Sequence, residues 1–414
     1  MFLKSAVRLK KGPSRFTRTG IPWVYSNELE AFDKSLPPGS WVSLEAHDGQ
    51  VLGYGYFNPH SLISFRIFER AKFKNEEQTR ALFFKRMDAA WQLRTRAYAD
   101  RIKSGDMGRF SYRLAFGESD GMPGLVVDLF ESATGGVPVV QCHSAGADGF
   151  VFWLQQWLDE RMGITCGVIK NDLDVRKKEN VELSVSEWGK VPDETYALEG
   201  GVRFFADVRK GQKTGYFYDH RDNRAEMARR AATTAGDILD CFSYSGSWGL
   251  QALKRNATAR LVAVDVSAAA LAALKRNAVE NGLGDRVETV EIDFFKDKKT
   301  LTGRSFGTVI CDPPALTSSA KQAGEGRRAH EACFYTALGY LAPGGVAALA
   351  SCSYHLTWDE FLECAQRAGL GRNRQLKITQ VGSQSADHPI LSTLPETRYL
   401  KNVIVEELDR FSGP

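Results

Sequence analysis

A chain of 414 residues, 43% hydrophobic and 25% charged, is long enough for two or three domains with packed cores, and its composition excludes a disordered, collagenous or disulfide-scaffold protein. Its 54 Lys and Arg against 50 Asp and Glu leave a formal charge of +4, so overall charge selects neither nucleic acid nor membrane as a partner. Seven cysteines without CxxC or other zinc spacing, no signal-like apolar start and no run of ~18 apolar residues predict reduced thiols in a cytoplasmic protein that does not enter a membrane.

Residues 1–20 carry Lys4, Arg8, Lys10, Lys11, Arg15 and Arg18 and no acid, which suits either phosphate binding or a plain solvated face. Short β-like runs at 41–44, 51–57 and 62–68, separated by Pro37-Pro38-Gly39, Asp48-Gly49 and Asn58-Pro59, predict a small β barrel. A helical repeat over about 76–103 follows. Strands at 124–130 and 137–140 with a helix near 150–158 predict a second, α+β unit. From about 200 the pattern becomes strand–helix alternation, the mark of a parallel sheet with crossover helices. Strands are predicted at 238–242, 260–266, 287–293, 306–311 and 344–352, and helices near 247–256, 267–281, 325–341 and 357–368. Thr357 and Glu360 form a capping box for the last helix. The expected architecture is α/β with three domains, at 1–72, 73–190 and 191–414, the last Rossmann-like.

Ligands of open α/β sheets sit at the carboxyl ends of the strands, where Asp240, Asp265, Asp293 and Asp312 fall. The turn Asp240-Cys241-Phe242-Ser243-Tyr244-Ser245-Gly246-Ser247-Trp248-Gly249 matches only the last two glycines of a dinucleotide fingerprint. Tyr244 stands at the first, so a pyrophosphate is poorly served and a nicotinamide cofactor is disfavoured. S-adenosylmethionine has no phosphates, and acids at successive strand ends suit its ribose and its cationic amine. Asp293, followed by Phe294-Phe295, suits the adenine. The bland alternative is that these acids only cap helices and turns.

Asp312-Pro313-Pro314 follows Val309-Ile310-Cys311, and the prolines stop the strand in a stiff loop. A carboxylate held there can bond the exocyclic amine and ring nitrogen of a base. Enzymes that methylate amino nitrogens share this tripeptide but usually follow it with an aromatic residue; here Ala315 follows. Cys352 ends the apolar run 345–353 on the neighbouring predicted strand. Carbon-5 of cytosine is not nucleophilic until a thiolate adds at carbon-6, so a thiol in this position points to methyl transfer onto carbon. Taken without that context, a strand-end cysteine is more often buried packing. Cys311 is a backup nucleophile, Cys142, Cys166, Cys241, Cys333 and Cys364 read as core or helix-face residues, and His355 is a candidate base or a solvated turn histidine.

These motifs resemble the large-subunit ribosomal RNA methyltransferase I family over nearly the whole chain. Leu9-Lys10-Lys11-Gly12, Pro22-Trp23-Val24-Tyr25-Ser26 and 53–59 are similar to its RNA-binding PUA domain, and 117–125 to its central α+β domain. Gly211–Arg224 is similar to the segment entering its catalytic domain, and Asp387-His388-Pro389 with 395–401 to its C-terminal end. The resemblance implies S-adenosylmethionine-dependent methylation of cytosine carbon-5 in large-subunit (23S) ribosomal RNA. It further implies Cys352 as nucleophile and a cofactor pocket around Tyr244, Ser245, Gly246, Asp265 and Asp293, to which the strand-end positions of Asp240 and Asp312 add two acids, Asp312 also as a catalytic residue. It leaves a homodimer open. Leu316 and His220 depart from the family, where an aromatic residue and a glutamine are common. Two alternatives stand beside this reading: methylation of a guanine or adenine nitrogen, and a non-catalytic RNA-binding assembly factor.

Overall fold

In the computed structural model, which describes residues 5–71, 75–297, 299–316 and 322–408, three sheets follow one another along the chain. The first runs in the order Ala6–Arg8, Ser40–Glu45, Val51–Phe57, Phe65–Glu69, Trp23–Val24. Strand alternation sends Val42, Leu44, Phe57 and Phe65 into a core of its own with Val7, Leu9 and Phe16. The other face is not a free surface. Tyr54, Tyr56 and Phe68 join the core of the middle domain, and the Tyr56 and Phe150 rings meet at 6.1 Å. The expected basic arm is partly neutralised: Arg8 pairs with Glu45 and Arg15 with Glu396, each at 2.8 Å, and Lys10 donates to the Asn27 carbonyl. Lys11 and Arg18 stay exposed, and Lys4 lies outside the described residues.

The helix Glu76–Ala97 starts where the Asn75 side chain accepts from the Gln78 N–H, with Glu76 and Glu77 in the positive first turn. Its buried stripe of Thr79, Phe83, Met87, Ala90 and Arg94 recurs at helical spacing and packs on the middle sheet. It does not run unbroken to 103. Tyr98 leaves helical geometry and turns inward, where its hydroxyl accepts from the Asp387 N–H, and the chain resumes as Ala99–Lys103.

The middle sheet runs Ser184–Trp188, Gly167–Asn171, Gly135–Cys142, Leu125–Ser132, Tyr196–Glu199, Val202–Phe205, and Tyr112–Phe116 also pairs with Leu125–Ser132. Two of its strands come from beyond the expected boundary at 190. They form a hairpin through Gly200-Gly201, at φ +63° and +69°, a left-handed pair that only glycines adopt cheaply. Tyr196 pairs with Glu131, which places this hairpin in the middle sheet.

The third sheet has the order Val287–Glu291, Leu261–Asp265, Ile238–Asp240, Phe306–Cys311, Leu341–Ser351, Lys401–Glu407, Leu376–Gly382. The first five strands are parallel, as alternation with helices requires, and Lys401–Glu407 runs antiparallel between its neighbours. The helices Gly249–Arg255, Ala268–Glu280, Ala323–Leu338 and Trp358–Gly371 fall where predicted, and Thr357 with Glu360 makes its capping box. The helix Arg221–Ala231 and the last two strands were not anticipated. Chain order reverses around Ile238–Asp240, so a crevice opens above the carboxyl ends of the central strands.

Buried ion pairs join the domains. Arg224 grips Glu199 through two bonds of 2.6 and 3.0 Å, Arg221 donates to the Ser111 carbonyl, and Arg94 binds both oxygens of Asp120 while donating to the Asp387 carbonyl at 2.9 Å. Burial raises the Glu199 carboxyl, but Arg224 and Arg221 outweigh it and hold it below the ordinary glutamate range. No helix among the described residues is long and apolar enough to cross a membrane.

Candidate active site

The turn after Ile238–Asp240 owes its shape to two unusual backbones. Gly246 has φ +90°, and a Cβ there would lie 2.9 Å from both Leu250 and Leu274. Tyr244 adopts φ +45°, costly for a residue with a side chain, and its N–H donates to Asp265 at 2.9 Å. The other Asp265 oxygen accepts from the Ser267 N–H at 2.9 Å, so the carboxylate is fixed while each oxygen keeps a lone pair for a ligand.

The crevice encloses a cavity of about 680 Å³ lined by Tyr244, Asp265, Asp293, Asp312 and Cys352 among the expected residues. Asp240, Ser245 and Gly246 do not line it. Asp240 is fully buried behind the turn, where it accepts from the Gly249 N–H, and burial pushes its carboxyl up to about 8, with Asp312 and Asp265 adding to the rise. The Ser245 carbonyl accepts from Asn277, and Gly246 packs against leucines. These three residues build the turn and leave the ligand face to others.

The residues present fit S-adenosylmethionine. Val266, 70% exposed, and the rings of Phe242 and Phe295 make an apolar slot beside Asp265, with Asp293 at its rim. Such a slot takes a flat heterocycle, and Asp265 offers acceptors for a diol. Asp293 is also engaged locally, by the Phe295 N–H and the Lys296 ammonium.

At the far end, Asp312 leaves the strand Phe306–Cys311 and is held by Trp248, with His220 beside it. The Trp248 indole N–H donates to one oxygen at 2.9 Å, and His220 Nε2 lies 3.4 Å from the other. The Asn223 amide donates to His220 Nδ1, which places the ring proton on Nε2, facing Asp312. Cys352 follows the adjacent strand and is partly exposed in the cavity. Its thiol is pushed up to about 12, first by burial and then by the charges of Asp312 and Asp219. Lys401 lies close by, its ammonium bonded to the Ser353 and Tyr399 carbonyls, and burial lowers it to about 8.

Cys311 is fully buried with its sulfur 3.4 Å from that of Cys333, which makes it packing. His355 stands against Tyr354 and does not line the cavity. Trp248, Asp219 and Tyr399 were missed as site residues. Trp248 sits inside the glycine turn and was legible as a neighbour of the site, whereas the Tyr399 hydroxyl reaching Asp219 at 2.7 Å joins residues far apart in sequence.

A family model described as a PUA-like domain matches residues 7–70, and one described as conserved hypothetical protein 95 matches 226–324. Ribosomal RNA large subunit methyltransferase I of Pseudoalteromonas atlantica is 33% identical over 98% of this chain and 100% of its own length. The protein of the same name in Shewanella denitrificans is 34% identical over 96% of this chain and 98% of its own length. A Streptococcus mutans structure, provisionally assigned as a SAM-dependent methyltransferase, superposes with a TM-score of 0.75 over 97% of this chain and 99% of its own at 16% identity. Another methyltransferase-like structure, complexed with SAH, reaches 0.76 over 98% of this chain and 100% of its own, also at 16% identity, and these two likenesses show the fold. With a third of its residues shared with curated relatives from end to end, the chain belongs to the ribosomal RNA large subunit methyltransferase I family.

Proposed function

We propose that this protein methylates carbon-5 of a cytosine in large-subunit ribosomal RNA through a covalent adduct with Cys352. The observation that carries the reading is one cavity in which a clamped carboxylate, Asp312, and a thiol, Cys352, face the slot suited to S-adenosylmethionine. Bound there, S-adenosylmethionine supplies an electrophilic methyl group. Trp248 aims Asp312, with His220 beside it, so that it can bond the amine and ring nitrogen of a cytosine. Burial keeps the Cys352 sulfur protonated until a base arrives. The thiol proton then passes through the Asp312 carboxylate to the ring nitrogen as sulfur bonds carbon-6. That addition makes carbon-5 an enamine carbon able to attack the methyl group. Solvent water takes the carbon-5 proton as the sulfur–carbon bond breaks and the carbon-5–carbon-6 double bond re-forms, and the ring-nitrogen proton returns to the departing thiolate. Methylation of a base nitrogen needs none of these thiol steps.

The PUA-like domain holds the RNA in this reading, through Lys11, Arg18 and the shape of its sheet. The test is RNA carrying 5-fluorocytosine at the target, where fluorine cannot leave as a proton does. The unaltered protein should form an adduct stable to denaturant, and Cys352→Ala should form none and transfer no methyl. Methylation by Cys352→Ala, or product methylated on nitrogen, would overturn the proposal.

A further inference from the structure

A second cavity, of about 350 Å³, lies beside the first, between the middle sheet and the segment that enters the catalytic sheet. Lys213, Phe217, Asp219 and Tyr399 line both cavities and form the wall between them. Neither Cys352 nor Asp312 reaches the second chamber, so the methyl-transfer chemistry makes no use of it. Its size is at the lower end of the range for small-ligand sites, enough for one flat ring system.

The middle sheet supplies the opposite side. Gln141, on the strand Gly135–Cys142, is 2% exposed, and its Nε2 has no partner; His143, just past the strand end, leaves its buried Nε2 equally unpaired. The Tyr216 hydroxyl, also lining the cavity, is unpaired as well; folded proteins seldom leave buried polar atoms so, and three that line one cavity mark it as built to hold something. Burial and surrounding cations push His143 down to about 4, so at neutral pH its ring offers one N–H and one lone pair. Phe116 and Phe217 add aromatic faces.

The charges select the occupant's class. Arg113, the buried cation of this chamber, is spent on both oxygens of Asp128 at 2.8 Å. Glu118 is engaged by the Trp23 indole at 2.7 Å, and Asp219 by the Tyr399 hydroxyl. An anion such as a phosphate would meet the Glu118 and Asp219 carboxylates and, for a partner, only the exposed Lys213 ammonium of the shared wall, which already lies over the Phe217 ring. A neutral, flat, hydrogen-bonding ring meets an amide, an imidazole and aromatic walls.

We infer that this chamber binds a second unstacked base of the RNA, next to the one presented to Cys352, with Gln141 and His143 reading its edge. The inference rests on the RNA-methyltransferase reading above. An amide and a neutral imidazole match base edges, and aromatic faces accept any base by stacking. The shared wall separates two bases on one backbone, each drawn to its own side of Phe217 and Tyr399.

The test uses the full-length protein and an rRNA fragment containing the methylated position, with 2-aminopurine or an abasic residue placed in turn at each flanking position. One flanking position should report unstacking by a rise in 2-aminopurine fluorescence, and its abasic form should raise KM. Gln141→Leu should abolish that fluorescence rise and raise KM for intact RNA by roughly three- to tenfold, the loss of one neutral hydrogen bond. It should add nothing on the RNA already abasic at that position. Cofactor affinity at the unaltered level reports an intact fold, and His143→Leu serves if Gln141→Leu fails this check. Wild-type protein indifferent to every flanking substitution, or variants that lose equally on intact and abasic RNA, would overturn the inference and leave the chamber to solvent. If the wild-type protein neither binds nor methylates rRNA fragments, the underlying reading fails first, and this inference with it; that result needs no variant.

Discussion

A nucleophilic cysteine is commonly expected to have a lowered pKa, yet the Cys352 thiol is pushed up to about 12. At pH 8 roughly one molecule in ten thousand then carries the thiolate, against about a quarter for an ordinary cysteine. Alkylation of free protein by iodoacetamide, followed at the Cys352 peptide by mass spectrometry, should accelerate about tenfold per pH unit up to about pH 10 without levelling. An ordinary thiol levels off near pH 9. Cys166 is the other cysteine not fully buried, and the five remaining are shielded, so peptide resolution separates the signals. The sign of the electrostatics gives a second arm. Asp312 raises the thiol, so Asp312→Asn should lower its pKa and speed alkylation at pH 8. The same variant should lose methyl transfer, because the amide cannot relay the proton. A more reactive cysteine in a less active protein is the signature. An alkylation rate that levels off below pH 10, or an Asn variant that reacts no faster, would show that burial and Asp312 do not govern this thiol.

Asp265→Ala should weaken S-adenosylmethionine binding by about 1–3 kcal/mol, and calorimetry showing unchanged affinity would remove Asp265 from the pocket. Trp248→Phe keeps the ring but deletes the N–H on Asp312; kcat/KM for RNA should fall by about tenfold or more, since hydrogen bonds to charged groups contribute about 1.5–3 kcal/mol. Glu199→Gln leaves Arg224 without its buried counter-charge and Arg221 with Asp387 alone, and should cost about 3–5 kcal/mol, visible as a lower denaturation midpoint. Replacing Lys11 and Arg18 together by alanine should flatten the salt dependence of RNA binding by about 0.7–0.9 in log–log slope for each phosphate no longer neutralised, and an equal slope would free the arm of that role.

Strand-end residues were the legible part of this site. Asp265, Asp312 and Cys352 each follow an apolar run in a strand–helix alternation, and that pattern alone puts them on one rim. Asp240 ends its strand equally well but faces inward, because its carboxylate is taken by the Gly249 N–H; sequence gives the level in the sheet and leaves the direction of the side chain open. The hairpin at 196–205 was readable in Gly200-Gly201 between two short apolar runs, and went unread because strand–helix alternation dominates the region around it. The grip of Trp248 on Asp312 and the Arg94 link to Asp387 span long stretches of chain, and no local pattern announces such pairs. Nor does charge counting find Arg8 and Arg15 already paired.

The N-terminal sheet shares an aromatic core with the middle domain, and Arg94 and Tyr98 of that same domain clasp the Asp387 loop that lies against the catalytic sheet. Grip and thiol are therefore mounted on one frame. Under the function proposed above, an RNA seated on the N-terminal sheet would offer Cys352 only the nucleotide at the matching reach, so the molecule would act as a caliper, selecting a position in folded RNA by distance from an anchoring feature as much as by the letters it touches.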